Sequence, residues 1–97
     1  MLEEFVSKKP DDAFSRYGLA MECVNSGDTA AADQQFRELL SRNADYVPAY
    51  LMYAQMLSRE SRVDDACKIL VDGINQASLK GDGHARSEME SLLAEMQ

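Results

Sequence analysis

Few side chains in this sequence could do chemistry, and their spacing limits each of them. The only histidine, His84, follows the turn Gly81-Asp82-Gly83. General acid–base work needs a second titratable group within hydrogen-bond reach, and a histidine in a polar turn before a helix reads as solvated. Cys23 and Cys67 stand 44 residues apart, and with one histidine they do not make a zinc ligand set. Both fall on apolar helical faces, where a free thiol acts as a small hydrophobe; a Cys23–Cys67 disulfide or redox pair is the alternative. Gly81 to Gly83 matches part of a calcium loop but lacks carboxylates at alternate positions, so it reads as a helix breaker. Asp11-Asp12 and Asp64-Asp65 stand at expected helix starts, where negative charge suits the helix dipole, rather than forming a paired-carboxylate site. No glycine-rich phosphate loop precedes a helix. With no acid, base, nucleophile or metal set converging, the expectation is a non-catalytic protein with no cofactor and no metal.

The scaffold for these residues is small. Ninety-seven residues make one domain, and 45% hydrophobic residues supply enough apolar material for a core. Seventeen acidic against ten basic residues leave a formal charge of −7. No more than two basic residues adjoin (Lys8-Lys9), so the basic stripe that nucleic acid requires is missing. The same charge argues against an anionic membrane surface. No run approaches the roughly 20 apolar residues of a membrane span. The first ten residues also lack the apolar centre of a signal peptide, so the expected location is cytoplasmic.

Strand alternation is nearly absent, and helical periodicity recurs along the chain. Leu2, Phe5 and Val6 mark a short leading helix, stopped before Pro10. Asp11 or Asp12 caps a helix to about Asn25, and Gly27 is placed for a left-handed turn. Asp28 or Thr29 starts the next helix, with Ala32, Phe36, Leu39 and Leu40 apolar. Pro48 sits in the first turn of a third helix reaching about Arg59. Ser61 is the expected cap of a fourth helix, which carries Ala66, Ile69, Leu70 and Ile74. A last helix from His84 to Met96 sets Ala85, Met89, Leu92 and Met96 on one stripe.

A shift of 34 residues superimposes the residue classes. Leu19 falls on Tyr53, Ala20 on Ala54, Ala32 on Ala66, Phe36 on Leu70 and Leu40 on Ile74. Two helices per period is the mark of a helical repeat, which cannot bury its apolar face alone. On these residues the chain resembles the tetratricopeptide repeat family. The first copy shows Leu19-Ala20, Cys23, Ala32, Phe36 and Ala44; the second shows Tyr50, Tyr53-Ala54, Leu57, Ala66, Leu70 and Ser78. The copies depart from the family pattern at Arg16, where an aromatic is expected, at the Tyr position (Cys23 and Leu57), and at the missing closing prolines. The resemblance implies an all-α superhelix in one domain: repeats over 11–44 and 45–78, a short leading helix, and a capping helix over 84–97. It also implies close packing, with Ala20, Ala32, Ala54 and Ala66 where paired helices cross.

The helix over residues 13–25 is apolar on more than half its circumference. Phe14, Tyr17, Met21 and Val24 share one sector, and Leu19, Ala20 and Cys23 share a second, leaving Ser15, Gly18, Glu22 and Asn25 for water. The resemblance puts the first helix of each repeat on an inner, concave wall. The first sector, with Asn25, then lines a groove that turns polar at Leu51, Gln55, Ser58 and Arg59. A peptide or helix of a partner protein is the expected occupant, and a homodimer through the same stripe is the alternative. Some family members clamp acidic chain ends with basic residues and asparagines; Tyr17, Met21 and Met52 at those inner positions argue against that mode here. The register itself is testable. Replacing Ala32 or Ala66 with Leu overpacks a helix crossing and is expected to lower stability by about 1–3 kcal/mol, read from thermal melts.

Overall fold

The computed structural model describes residues 12–97, and the expected leading helix and Asp11 lie outside them. Among the described residues the secondary structure is helical, with no strand. The helices are α1 (Ala13–Asn25), α2 (Thr29–Arg42), α3 (Val47–Arg59), α4 (Val63–Lys80) and α5 (Gly83–Met96). They form two compact units, one ending at Tyr46 and the other spanning Val47–Gln97. In the first unit α1 pairs with α2; in the second α3 pairs with α4, and α5 lies on α4 and touches α3.

Aspartate starts three of the helices. The Ser15 N–H donates to Asp12 Oδ1 at 3.3 Å, and the Ser15 hydroxyl donates to Asp12 Oδ2 at 2.9 Å. Ala31 N–H donates to Asp28 Oδ1 and Ala85 N–H to Asp82 Oδ1, each at 3.1 Å. Each of the three N–H bonds satisfies a backbone donor that the helix leaves open, worth about 1 kcal/mol. Helix ends share a second device, a residue in the left-handed region followed by a backbone bond closing the last turn. Gly27 has φ +81° and Asp28 N–H reaches Cys23 O at 2.9 Å; Gly81 has φ +71° and Asp82 N–H reaches Ala77 O at 2.9 Å.

Ser61 corrects an expectation. It does not cap α4: it adopts φ +62°, and Arg62 N–H bonds Leu57 O at 2.8 Å, closing α3 in the same way. The N-cap residue of α4 is Arg62, without a side-chain cap, and Arg62 instead pairs with Asp65 in the first turn. Ser61 occupies the place of Gly27 one period on, where the turn demands left-handed backbone whatever residue is supplied.

Each unit has its own core. The first buries Ala20, Ala32, Phe36 and Leu39 completely; the second buries Ala54, Leu57, Ala66, Leu70, Ala77 and Met89 completely. Full burial of a Leu- or Phe-sized side chain contributes about 1.5–3 kcal/mol. Ser15 corrects a second expectation, because it is buried rather than left to water. Arg16 is buried beside it at 9% exposure, with its guanidinium donating to Gln35 Oε1 at 3.2 Å. That bond explains how a charged residue fills an aromatic's place. No buried side-chain nitrogen or oxygen among the described residues lacks a hydrogen-bond partner.

One period on, Tyr50 stands at the Arg16 position and Gly73 at the Leu39 position. The exchange is steric: a Cβ built on Gly73 would lie 2.6 Å from Tyr50 Cβ and 2.6 Å from Met89 Sδ. The Met89 thioether is the flexible part of a side chain and can yield, whereas Tyr50 Cβ is tied to the α3 backbone. In open space Gly to Ala inside a helix gains up to about 1 kcal/mol. Here Gly73→Ala is expected to destabilise the protein by about 1–3 kcal/mol despite that gain, and a higher midpoint in chemical denaturation would contradict the assigned contact.

Candidate partner-binding surfaces

Helix α1 buries Ser15, Arg16 and Ala20 against its neighbour. Polar and small residues therefore face inward, and the aromatic side of the helix is turned out. Phe14 is 74% exposed. Tyr17, Met21 and Val24 continue its sector half-buried, and Asn25 at the helix end is exposed. Leu19 and Cys23, in the second sector, are half-buried, and Cys23 and Cys67 are free thiols.

Tyr17 is not a bare side chain. Its ring lies 5.4 Å from that of Tyr46, tilted by 49°, a geometry favoured by aromatic quadrupoles. Burial pushes the Tyr17 hydroxyl above its ordinary value, and the Tyr46 ring adds to the shift. Burial raises Tyr46 likewise, with the Asp12 carboxylate contributing. Tyr46 escaped the sequence reading because it lies outside any helix, where periodicity assigns no face.

In the second unit Leu51, Gln55 and Ser58 are half-buried and Arg59 is exposed. Leu51 and Gln55 line an open cleft of about 490 Å³ whose other wall is α5, with His84, Ser87, Glu88, Ser91, Leu92 and Glu95. Ser58 and Arg59 do not line it. Periodicity does not show the α5 wall: Glu88 and Glu95 are exposed, as residues off the apolar stripe should be, and Leu92 lies on the stripe and is half-buried. Their one signal is helical spacing along a single flank, which by itself cannot say that α3 stands opposite. Of the α5 stripe, Met89 is fully buried and Ala85, Leu92 and Met96 are half-buried. His84 is exposed, with Nε2 3.1 Å from Glu88 Oε1. No helix among the described residues is long and apolar enough to cross a membrane.

Paired helices of this length, with small residues at the crossings and a 34-residue register, define a helical-hairpin repeat protein. No family model and no curated protein matches the chain. Solved structures do. A solution NMR structure of a tetratricopeptide repeat domain protein from Salinibacter ruber is 31% identical, covering 91% of this chain and 89% of that one, with a TM-score of 0.86. A crystal structure of a tetratricopeptide repeat domain protein from the same organism is 30% identical, covering 88% and 94%, with a TM-score of 0.81. The chain belongs to the tetratricopeptide repeat family, whose members serve generally as protein-interaction scaffolds.

The tyrosine pair gives this unit a pH signature. Both hydroxyls are held protonated above their ordinary value, so folding binds these protons more tightly than the unfolded chain. Their contribution is fully present below about pH 10 and is lost as pH rises through the raised folded values. A phenolate absorbance titration is expected to show Tyr17 and Tyr46 ionising above the ordinary tyrosine value, and Tyr46→Phe to remove one late step and shift Tyr17 back toward normal.

Proposed function

We propose that the protein is a non-catalytic interaction module that receives a peptide or helix of another protein on the first helix of each repeat. The observation that carries this reading is the outward stripe of α1, above all Phe14 at 74% exposure beside Tyr17, Met21 and Val24. The apolar area that Phe14 and its half-buried neighbours leave to water is unfavourable, at about 25 cal/mol per Å², unless a contact covers it. Membership of a family of interaction scaffolds supports the same assignment. Tyr17 is the anchor in this reading, already oriented by Tyr46 and so losing little freedom on contact. Asn25, Leu51, Gln55, Ser58 and Arg59 supply the more polar part of the contact. Cys23 and Cys67, half-buried and not in a disulfide, are compatible with a reducing, cytoplasmic setting.

The test is Met21→Glu, which puts a charge in the middle of the stripe. Circular dichroism is expected to keep its helical signal while capture of a partner weakens by about tenfold or more. Loss of helix would make the stripe part of the core and refute the reading. Unchanged capture would refute it equally. A wild-type dimer in light scattering that Met21→Glu dissolves would assign the stripe to a second copy of the chain.

A further inference from the structure

We propose that the cleft between α3 and α5 selects a cationic side chain, so that the partner segment it receives carries a lysine or arginine next to an aliphatic residue. The inference deepens the groove reading and rests on it.

The cleft, of about 490 Å³, is the right size for one or two side chains, and its chemistry is divided. Leu51 and Leu92 give it a half-buried aliphatic floor. Glu88 and Glu95 give it two carboxylates on the α5 wall, seven residues and so about 10 Å apart along the helix. No lysine or arginine lines it; its one basic lining residue, His84, stands with Nε2 3.1 Å from Glu88 Oε1, so Glu95 is the carboxylate of this wall with no basic residue beside it among those lining the cleft. A long cationic side chain has the matching form, an alkyl stem to lie on leucine and a charged head to reach a carboxylate.

The charge balance of the helices sharpens the case. Three acids have an arginine one turn away: Asp33 has Arg37 at 2.9 Å, Glu38 has Arg42, and Glu90 has Arg86 at 3.2 Å. On α5 the one arginine, Arg86, is thus committed to Glu90, which does not line the cleft. One turn before Glu95 stand Ser91 and Leu92, which offer no cation. Glu95 also lies in the last turn of α5, at the negative end of the helix dipole, where a carboxylate is disfavoured. An arriving cation relieves both conditions. A single divalent metal ion does not fit, because oxygen ligands must approach within about 2.6 Å of it and these carboxylates stand two helical turns apart. The chain's charge of −7 further speeds encounter with a basic segment.

The test measures fluorescence anisotropy of two labelled short peptides on the full chain: one with a lysine flanked by leucines, the other with glutamate replacing the lysine. The lysine peptide is expected to bind and the glutamate peptide to bind at least about tenfold more weakly. Glu88→Gln with Glu95→Gln should weaken the lysine peptide by about tenfold. Glu60→Gln with Asp72→Asn, which removes the same net charge outside the cleft, should change it by less than about twofold. Glu95→Gln relieves a charge at a helix end, so the cleft variant keeps its fold, checked by circular dichroism. Equal weakening by the two double variants overturns the proposal, as attraction to net charge alone would produce it; equal binding of the two peptides also overturns it. Failure of the groove reading registers separately, in Met21→Glu leaving capture intact. A defective Met21→Glu protein whose charge variants behave alike overturns the cationic assignment alone.

Discussion

Two helices can lie against each other along their length only where the crossing is small, and the rest of this molecule depends on that. Ala20 and Ala32 are fully buried in the α1–α2 pair, Ala54 and Ala66 in the α3–α4 pair, and Gly73 and Ala77 lie buried further along α4. Where one member is large, its counterpart is reduced. Tyr50 stands over Gly73 with no room for a methyl group, while Arg16 and Leu39 fill the corresponding places in the first unit. The bulk is redistributed across the exchange, and in the second unit the Met89 thioether takes up part of the space over Gly73. Chemistry is not held constant, and Arg16 is accommodated because Gln35 accepts from its guanidinium.

Close pairing in turn demands short connections. The links after α1, α3 and α4 each reverse the chain with one left-handed residue and one backbone bond reaching back across the last turn. Glycine takes that conformation freely at Gly27 and Gly81, whereas Ser61 takes it at a cost of about 1 kcal/mol. Aspartate then opens the next helix after Gly27 and after Gly81, so part of the chain's negative charge is helix-capping charge. That charge is local in purpose, unlike the carboxylates of the α5 wall, which cap nothing.

The two candidate surfaces follow from the same packing. Because α1 commits Ser15, Arg16 and Ala20 to its neighbour, Phe14 is left facing out with Tyr17, Met21 and Val24 beside it. In the second unit α5 covers α4 with Met89 while its flank stands across from Leu51 and Gln55, and the space between them is the cleft. The first surface is apolar and supported by a tyrosine pair; the second is divided between leucines and carboxylates.

The amino-acid order alone determined the helices, their ends at Asn25 and Arg59, the left-handed turn at Gly27 and the 34-residue register, and hence the family. These are local or periodic properties: caps, breakers and apolar spacing act within a few residues of chain. It also identified the stripe from Phe14 to Val24, since periodicity puts those residues on one side of a helix. It could not say which side turns inward, because that depends on which neighbour offers the better fit, and here a buried Ser15 and Arg16 won over Phe14. Only tertiary structure brought Tyr46 to Tyr17, set Gly73 under Tyr50, forced Ser61 into a glycine's conformation, and placed α5 across from α3. Each of these depends on contacts between residues distant in sequence or on a turn imposed by packed helices, and no short window of sequence carries that information.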